Sequence, residues 1–566
     1  AIKESGAKIP SPREIENCDA ILVLGEDVTN TATRIALSLR QAVRNEAFSM
    51  AEELQLQSWQ DAATRNLAQD ERSPLFIASP HATQLDDIAT GVFNLSPSDI
   101  AHLGYSIASL IEDKKDGSAT AIHSNDYGDI AEALLKAERP LIISGTGVTD
   151  ASVITAASSI ASALLTMGKE AYLSLVYQEA NTLGITLLNE GYGPSLSNIF
   201  EQGENNDIQT LIIVENDLYR RAAKHKVDRL LDTVDQVIVL DILDNETCNQ
   251  ADIVIPVSSF AECEGTLINF EGRAQRHFPV FESKHPCRPS WEWLIEIGRI
   301  SNNKNMLDWQ CFDDINNACS ESSSTLTGIN EAAPDREYRI GGRKIPRQPH
   351  RYSGRTAMLA NLSVHEPKQT DDTDTPLGFT MEGHSGDRPG ELIPFVWAPG
   401  WNSNHSIHKH QTGSDGELKG GRSVIKIESK NLIQSKLQDE SVTQNNNKDH
   451  LTAVAMYKIF GTGELSSQSP GIAELCESES IELAKDAADK LGVSNGDGVT
   501  AHCANGTVDL EVKINDSLIS NCAGIVQGMP GSPDINPGEG LSLTRSENWV
   551  RKSEVISSDQ LGSRNV

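Results

Sequence analysis

The sequence lacks the cysteine spacing that would assign it to a metalloprotein class. It has nine cysteines, but no two of them have CxxC spacing, and the closest pair is Cys311 and Cys319. Iron–sulfur and zinc sites need clustered thiolates or imidazoles, so no metal site is predicted in this chain. An odd, scattered set of cysteines is typical of reduced thiols in a cytoplasmic protein.

Positive charge and long apolar runs are also scarce. Lys and Arg number 48 against 80 Asp and Glu, giving a net charge of -32. Such a surface would repel a phosphate backbone, so nucleic-acid binding is not predicted, and partners with cationic surfaces are favoured. No run of 18 apolar residues could span a membrane. There is no signal segment, and the polar start at Ala1 without Met favours a piece of a longer protein.

The length of 566 residues predicts several domains, because single cores stop growing at roughly 250–300 residues. Two stretches, Ile21–Asp27 and Leu211–Asp217, each predict a strand that ends in an acid-rich turn, and each is followed by a predicted helix and a second strand. This repetition predicts an α/β fold of repeated βαβ units with mostly parallel sheets, followed by a small C-terminal β-barrel. The predicted units are 1–135 (first α/β unit), 136–300 (second α/β unit), 301–450 (irregular, Arg-rich and polar connecting region), 451–545 (β-barrel) and 546–566 (polar tail).

Hydrophobic periodicity predicts the individual elements. A strand at Ile21–Leu24 precedes a helix with the apolar face Ile35, Leu39, Ala42 and Val43, capped by one of Thr29, Asn30 or Thr31. The remaining predictions are a strand and glycine turn at Pro140–Gly147, helices over Ala151–Leu165 and Arg220–Leu231, and a hairpin turn at Asn505–Gly506.

The stretch 251–278, ADIVIPVSSFAECEGTLINFEGRAQRHF, contains the strongest candidate site. A short apolar strand, Ile253–Val257, leads into a polar loop with Asn269, Glu271, Gly272 and Arg273. Polar, Gly-bearing loops at the carboxyl ends of strands are where open α/β sheets build ligand sites. Replacing Arg273 with Ala is predicted to harm folding, since breaking a buried charged pair costs on the order of 3–5 kcal/mol.

Three other motifs favour simpler interpretations. GTGVTD, after the strand PLIIS, lacks the complete GxGxxG pattern and the P-loop Lys, so it predicts a tight strand-to-helix turn. Glu26 and Asp27, beside Gly25, would repel a phosphate. The histidines of NSNHSIHKH have no nearby acid, which favours a solvated loop over metal ligands; they are His405, His408 and His410.

The segment Pro334–Thr356 is basic in an otherwise acidic chain. Arg dominates over Lys, and guanidinium groups match carboxylates in a bidentate geometry. Two interpretations are open: pairing with the acidic body of this chain, which we favour, or docking to another subunit. The predicted interaction residues are Arg343, Arg347, Arg351 and Arg355.

The pattern AD…P…E…GT…N…EGR…Q in 251–278 resembles the molybdopterin oxidoreductase family. The stretches GEDVTNTATRIALSLRQAVRN, PLIISGTG, FEGRAQR, PHRYSGRTAM, SVHEP and WAPGWNS together resemble the family of G subunits of bacterial NADH-quinone oxidoreductase, respiratory complex I. The resemblance runs from about Ser11 to about Gly531. It implies that the C-terminal β-barrel is like the one that contacts the pterin dinucleotide in molybdopterin enzymes.

This resemblance implies a structural part of the peripheral arm of complex I. The assembled enzyme transfers electrons from NADH through iron–sulfur clusters to quinone and couples this to ion translocation. The expected partners are other peripheral-arm subunits, on the cytoplasmic side of the bacterial inner membrane. No cofactor is expected in this chain: the clusters would belong to a more N-terminal region of the full subunit, and the molybdopterin would have been lost.

Two functional alternatives remain at this point. The loop with Asn269 and Arg273 either keeps a residual pterin pocket or is retained for packing. The chain as a whole is either this vestigial, non-catalytic part or an active molybdopterin oxidoreductase that acts on a small substrate such as formate. Metal analysis and the neighbouring genes would separate the two.

Overall fold

The structure, a computed structural model, describes residues 5–57, 60–115, 126–189, 193–279, 287–303, 306, 308–332, 450–476, 479–529, 532–546 and 549. The predicted interaction residues of the Arg-rich segment and the three loop histidines lie outside these ranges. Among the described residues, no helix is both long and apolar enough to cross a membrane.

A five-stranded parallel sheet forms the first unit, with the strand order β3-β2-β1-β4-β5. Its strands are β1 (Ala20–Leu24), β2 (Leu75–Ser79), β3 (Gly91–Asn94), β4 (Pro140–Gly145) and β5 (Tyr172–Val176). The helices around it are α1 (Pro12–Ile15), α2 (Val28–Thr31), α3 (Thr33–Ala42), α4 (Asn45–Glu53), α5 (Asp61–Ala68), α6 (Pro97–Lys115), α7 (Asp126–Lys136) and α8 (Ala151–Thr166). Four of the five strands are buried along their whole length, as expected for a parallel sheet covered on both faces.

Alternate residues of β1 serve two separate cores. Leu22 and Leu24 pack with the residues of α6, α7 and α8 on one face of the sheet. Ile21 and Val23 pack on the other face with Ile35 of α3. The predicted strand and the predicted apolar helix face are therefore confirmed. The predicted cap is wrong, because the N-cap residue of α3 is Ala32, which has no side-chain cap hydrogen bond. Asp27 instead caps the preceding short helix α2, where its side chain accepts from the Thr29 amide.

The first sheet extends across the boundary predicted at residue 135. β4 pairs in parallel with β1, with Leu141 opposite Ile21, and β5 pairs with β4. An apolar strand is stabilised most where both of its faces are covered by other residues. A position beside β1, in the middle of the sheet, is covered on both faces. The other predicted boundaries remain predictions.

A second, three-stranded parallel sheet has the order β6-β7-β8, so both sheets confirm the predicted fold class. Its strands are β6 (Thr210–Val214), β7 (Gln236–Asp241) and β8 (Ile253–Pro256), with helices α9 (Thr182–Asn189), α10 (Leu196–Glu204), α11 (Lys224–Thr233) and α12 (Glu246–Asn249). The helix predicted from Arg220 begins later, because a 3-10 turn capped by Asp217 comes first and Ala223 is extended.

An antiparallel hairpin follows the second sheet and carries the predicted loop. It consists of β9 (Gly265–Ile268) and β10 (Ala274–His277), and is followed by helices α13 (Ser290–Ile300), α14 (Phe312–Ser322) and α15 (Ile329–Ala332). Phe270, at the tip of the hairpin, packs against the core of the first unit. The hairpin therefore ties the second half of the α/β body to the first.

The C-terminal unit is a closed six-stranded barrel, as predicted, with the order β11-β15-β12-β14-β13-β16. Its elements are β11 (Leu451–Met456), α16 (Pro470–Ala473), β12 (Ser480–Leu483), α17 (Lys485–Leu491), β13 (Gly498–Cys503), β14 (Gly506–Ile514), β15 (Cys522–Val526) and β16 (Gly540–Arg545). The predicted hairpin turn joins β13 to β14, and Gly506 there has a φ of 126°, which favours glycine.

The barrel contacts both α/β units. The amide of Ile519 donates to the carbonyl of Pro80 in the first unit at 3.1 Å. The Arg220 guanidinium of the second unit donates to the carbonyl of Thr462 in the barrel at 3.0 Å. The barrel therefore lies against the carboxyl ends of the β-strands in both sheets.

Candidate functional site

The first sheet has a topological switch point between β1 and β4. The chain runs from β1 to β2 and β3 on one side, then returns to place β4 and β5 on the other. At such a point the loops after two neighbouring strands diverge and leave a crevice at the strand ends, where open α/β proteins bind ligands. The loops that line this crevice begin at Gly25 and Thr146.

Glu26 occupies this crevice. It follows β1 directly and is only 1% exposed. Its Oε1 accepts a hydrogen bond from the Gly147 amide at 2.5 Å, and its Oε2 lies 3.1 Å from the Thr31 hydroxyl. The turn after β4 and the helix after β1 thus meet at this carboxyl group.

Two glycines of the GTG turn make room for the carboxyl group. A Cβ on Gly145 would collide with the carbonyl of Val176 and lie 2.5 Å from Glu26 Oε1. A Cβ on Gly147 would lie 2.6 Å from Glu26 Oε2. The prediction of a tight strand-to-helix turn is confirmed, and the structure adds the reason why it contains glycine on both sides of Thr146.

Burial dominates the electrostatics of Glu26. It raises the pKa of the carboxyl group to about 8, because the charged form loses its hydration. The Gly147 amide and the Thr31 hydroxyl act in the opposite direction, and the neighbouring Asp27 raises the pKa further. Among the described residues, none of the groups that shift this pKa carries a positive charge, so the neutral form of the acid is favoured.

The remaining space in the crevice is small. The cavity between the described residues measures about 10 Å³, which is about the space for one water molecule. Ligand pockets usually measure roughly 300–1,000 Å³. The lining comes from both the first unit and the barrel: Gly25, Asp27, Thr31, Ser79, Pro80, His81, Gly147, Val148, Ala455 and Tyr457.

Tyr457 closes the crevice from the barrel side. It follows β11 and lines the cavity opposite the first sheet. Burial raises the pKa of its phenol to about 12, and the proximity of Glu26 adds to this. The cavity between these described residues is much smaller than a pterin with its phosphate groups.

The loop predicted as a cofactor site is a self-contained hairpin turn. The Asn269 side-chain oxygen accepts the amides of Glu271 at 3.0 Å and Arg273 at 2.9 Å. Gly272 has a φ of 74°, and Arg273 Nε lies 3.1 Å from Glu271 Oε2. The structure brings the four residues together but satisfies their polar groups largely within the loop, so their role in binding a cofactor remains a prediction.

Sequence reasoning missed the importance of Arg276. Its side chain is 1% exposed and pairs with Glu264 at 2.8 Å and with Asp313 of α14. It also lies over the rings of Phe278 and Phe312. The Arg273 side chain is 24% exposed, so Arg276 is the more deeply buried of the two arginines. The folding cost predicted for Arg273 stays a prediction. A possible signal was the strand pairing, which places Arg276 directly opposite Thr266, beside Glu264.

Sequence comparisons confirm the family resemblance. Residues 112–299 match the molybdopterin oxidoreductase family. The G subunit of the NADH-quinone oxidoreductase of Pseudomonas putida is 38% identical over 545 residues, which cover 94% of this chain and 59% of that protein. The proteins of the same name from Salmonella typhimurium and Escherichia coli K12 are each 36% identical, over 96% and 95% of this chain and 60% of each relative. This chain therefore spans about three fifths of the length of the curated relatives it matches.

A solved structure agrees with the fold. Acetylene hydratase from Pelobacter acetylenicus superposes with a TM-score of 0.50 at 12% sequence identity, over 94% of this chain and 73% of that one. At this identity the likeness concerns the fold alone. It supports an α/β body and a C-terminal barrel in one architecture.

Proposed function

We propose that this chain is a structural part of the peripheral arm of respiratory complex I, because it is homologous over most of its length to the G subunit of NADH-quinone oxidoreductase. In this proposal the assembled enzyme passes electrons from NADH through iron–sulfur clusters to quinone and couples this to ion translocation. The clusters lie in a more N-terminal region of the full subunit, and the partners are other peripheral-arm subunits on the cytoplasmic side of the bacterial inner membrane.

The small size of the cavity in the switch-point crevice supports the proposal that this chain is not itself catalytic. Between the described residues, Tyr457 and the turns at Gly25 and Gly147 leave a cavity of only about 10 Å³ where an open α/β protein would hold its ligand. Glu26 belongs to the first unit and Tyr457 to the barrel, so the crevice lies at the interface between the two units. This supports a vestigial pterin site in the crevice and, with it, in the hairpin loop of Asn269 and Arg273.

The contacts of the barrel support an architectural role. Arg220 and Lys224 of the second unit contact Thr462 and Asp534, and Pro80 of the first unit accepts from the barrel. Three units that are distant in sequence are held by hydrogen bonds at the strand ends. Contacts of this kind suit a subunit that supports its neighbours.

We further propose that the Arg-rich segment contributes to assembly through acidic surfaces, either of this chain or of a neighbouring subunit. Exposed pairs contribute about 0–1 kcal/mol each, so single changes should be mild. Reversing Arg343, Arg347, Arg351 and Arg355 together to Glu should release the chain from its partners or lower its melting temperature at low salt. Unchanged assembly and melting would contradict this role.

The main test uses the full subunit in its own cells. Cells that lack the gene should lose assembled complex I on native gels and NADH-driven quinone reduction in membranes, and the wild-type gene should restore both. An Arg65→Ala variant, which removes an exposed i,i+4 ion pair with Asp61, should restore both equally and serves as the matched control.

Metal and pterin analysis of the purified assembly separates the two functional candidates. We expect iron from the clusters but no molybdenum, tungsten or pterin in stoichiometric amount. A protein that purifies apart from complex I, holds stoichiometric molybdenum and oxidises a small substrate such as formate would establish the alternative, an active molybdopterin oxidoreductase.

A further inference from the structure

The barrel meets the two α/β units in different ways. On the second unit a charged side chain makes a direct contact, since the Arg220 guanidinium donates to the carbonyl of Thr462 at 3.0 Å. On the first unit the Ile519 amide donates to the carbonyl of Pro80 at 3.1 Å. Pro80 also lines the cavity of about 10 Å³. The content of this cavity therefore affects how the barrel is held on the first unit.

The cavity combines a suitable size with polar lining residues. A cavity needs roughly 10–15 Å³ to hold one water molecule, and the water needs about two to four polar partners. Asp27, Ser79 and Tyr457 line the space, and they come from the turn after β1, the end of β2 and the segment after β11. Two segments of the first unit and one of the barrel thus bring polar residues to one place.

Two of these residues have hydroxyl protons that find no acceptor among the described residues. Ser79 is 1% exposed, and its oxygen accepts from the His81 amide at 3.4 Å, but no described group accepts its own proton. The Tyr457 hydroxyl forms no hydrogen bond with the described residues, and burial raises the pKa of its phenol to about 12. Both hydroxyls therefore keep their protons at neutral pH, and leaving a buried donor unsatisfied is costly.

Asp27 supplies an acceptor. Its Oδ1 accepts from the Thr29 amide at 3.1 Å and from the Thr29 hydroxyl, and its Oδ2 accepts from Asn30 Nδ2 at 2.7 Å. A carboxylate has about four lone-pair sites, so these three bonds leave about one site, on Oδ2. A water molecule has two lone pairs and two protons. It can therefore accept from two hydroxyls and donate to this oxygen.

The lining favours water over an ion. An anion would lie beside the negatively charged Asp27 and be repelled by it. A metal ion usually needs several carboxylate, imidazole or thiolate ligands. Within the described part of the chain, no group of three or more His, Cys, Asp or Glu side chains could hold one. A small neutral molecule that both accepts and donates hydrogen bonds suits the lining better.

We propose that this cavity binds one water molecule, which bridges Tyr457 of the barrel to Ser79 and Asp27 of the first unit. The water accepts the two hydroxyl protons and donates to the Asp27 carboxylate. The barrel is thus held on the first unit partly through a bound water and on the second unit through direct hydrogen bonds. This inference goes beyond the proposed function, because it holds whether or not the chain is part of complex I.

High-resolution crystallography of the protein tests the site directly. We expect one ordered water within roughly 3.2 Å of Tyr457 Oη, Ser79 Oγ and a carboxylate oxygen of Asp27. Density that belongs to an ion, or a side chain that fills the cavity, would overturn the proposal. So would a map in which the surrounding side chains are clear and no ordered water is bound to them.

Tyr457→Phe and Ser79→Ala test the bridge by the sign of their effect. Each removes a hydroxyl and little volume. Loss of a hydroxyl that binds the water should speed hydrogen exchange of the Ile519 amide by about threefold to tenfold, the factor for one net hydrogen bond. Because both hydroxyls act through the same water, the double variant should exchange more slowly than the product of the two single effects. Removing a hydroxyl that has no partner is neutral or stabilising, so unchanged or slower exchange in Tyr457→Phe would contradict the bridge.

Two controls separate the bridge from general loosening. Ser174→Ala removes another buried hydroxyl without a hydrogen-bond partner among the described residues, and it should leave exchange at Ile519 unchanged. The Lys224 amide donates to Asp534 Oδ1 at 3.2 Å, where the barrel contacts the second unit, and should exchange at the wild-type rate in Tyr457→Phe. Equal acceleration of the Ile519 and Lys224 amides would mean that the whole barrel has loosened, and it would overturn the proposed bridge.

Discussion

The switch-point crevice and the β9–β10 hairpin both bury ionisable side chains, but the two regions offset the cost of burying charge in different ways. In the hairpin region Arg276 is paired with Glu264 and Asp313 and covered by two aromatic rings. In the crevice none of the described groups that shift the pKa of Glu26 is positively charged, and burial raises this pKa. The first arrangement depends on keeping every partner, whereas the second depends on excluding water, so substitutions in the two regions should differ in size and in pH dependence.

The largest effect is expected from Arg276→Ala. This change leaves Glu264, at 10% side-chain exposure, without its positive partner, and breaking a buried ion pair costs about 3–5 kcal/mol. Urea unfolding at neutral pH measures the cost. Arg276→Lys keeps the charge but not the two-pronged geometry and should recover only part of it. A loss below about 1 kcal/mol would show that the cluster is not what holds the hairpin to α14.

A smaller loss is expected from Gly147→Ala in the crevice. The new methyl group would lie 2.6 Å from Glu26 Oε2, and overpacking of this kind typically costs about 1–3 kcal/mol. Gly471→Ala is the matched control, because a Cβ there meets nothing within 4 Å. Equal unfolding midpoints for the two variants would contradict the close packing of the GTG turn on Glu26.

The smallest effect is expected from Arg273→Ala, in the loop that the sequence favoured. Its ion pair with Glu271 is 24% and 11% exposed on the two sides, and the turn is held mainly by Asn269. We expect about 1 kcal/mol or less in urea unfolding. Asn269→Ala should cost more, since it removes the acceptor of two backbone amides. The reverse order would restore Arg273 as the central residue of the loop.

Much of the fold could be predicted because its signals are local. The buried strands of the first sheet are continuous apolar runs, and residues such as Ile35 and Leu39 repeat with helical spacing. The barrel hairpin follows from the Asn505–Gly506 turn. The order of the strands was not predictable in the same way: β4 follows the predicted boundary in sequence but pairs with β1, and its apolar run fits several neighbours equally well.

The candidate site was harder to predict than the fold. Gly147 and Glu26 are 121 positions apart, and Tyr457 lies in another unit. From the sequence, Glu26 and Asp27 were two acids that would repel a phosphate, which is correct for a solvated turn. Only the burial of Glu26 in the folded chain shows that the pKa of its carboxyl group is raised. The hairpin loop, in contrast, has a recognisable local pattern, but its polar groups form hydrogen bonds largely within the loop.

Residue patterns alone established the elements, the parallel character of the sheets, the barrel and the family resemblance, because each depends on signals within a few positions or on a continuous match. Folding in three dimensions settled which strands are neighbours, where the switch point lies, which arginine is buried and which buried carboxyl group has a raised pKa. These depend on contacts between distant segments, since burial and the electrostatic environment of a side chain arise only when those segments come together.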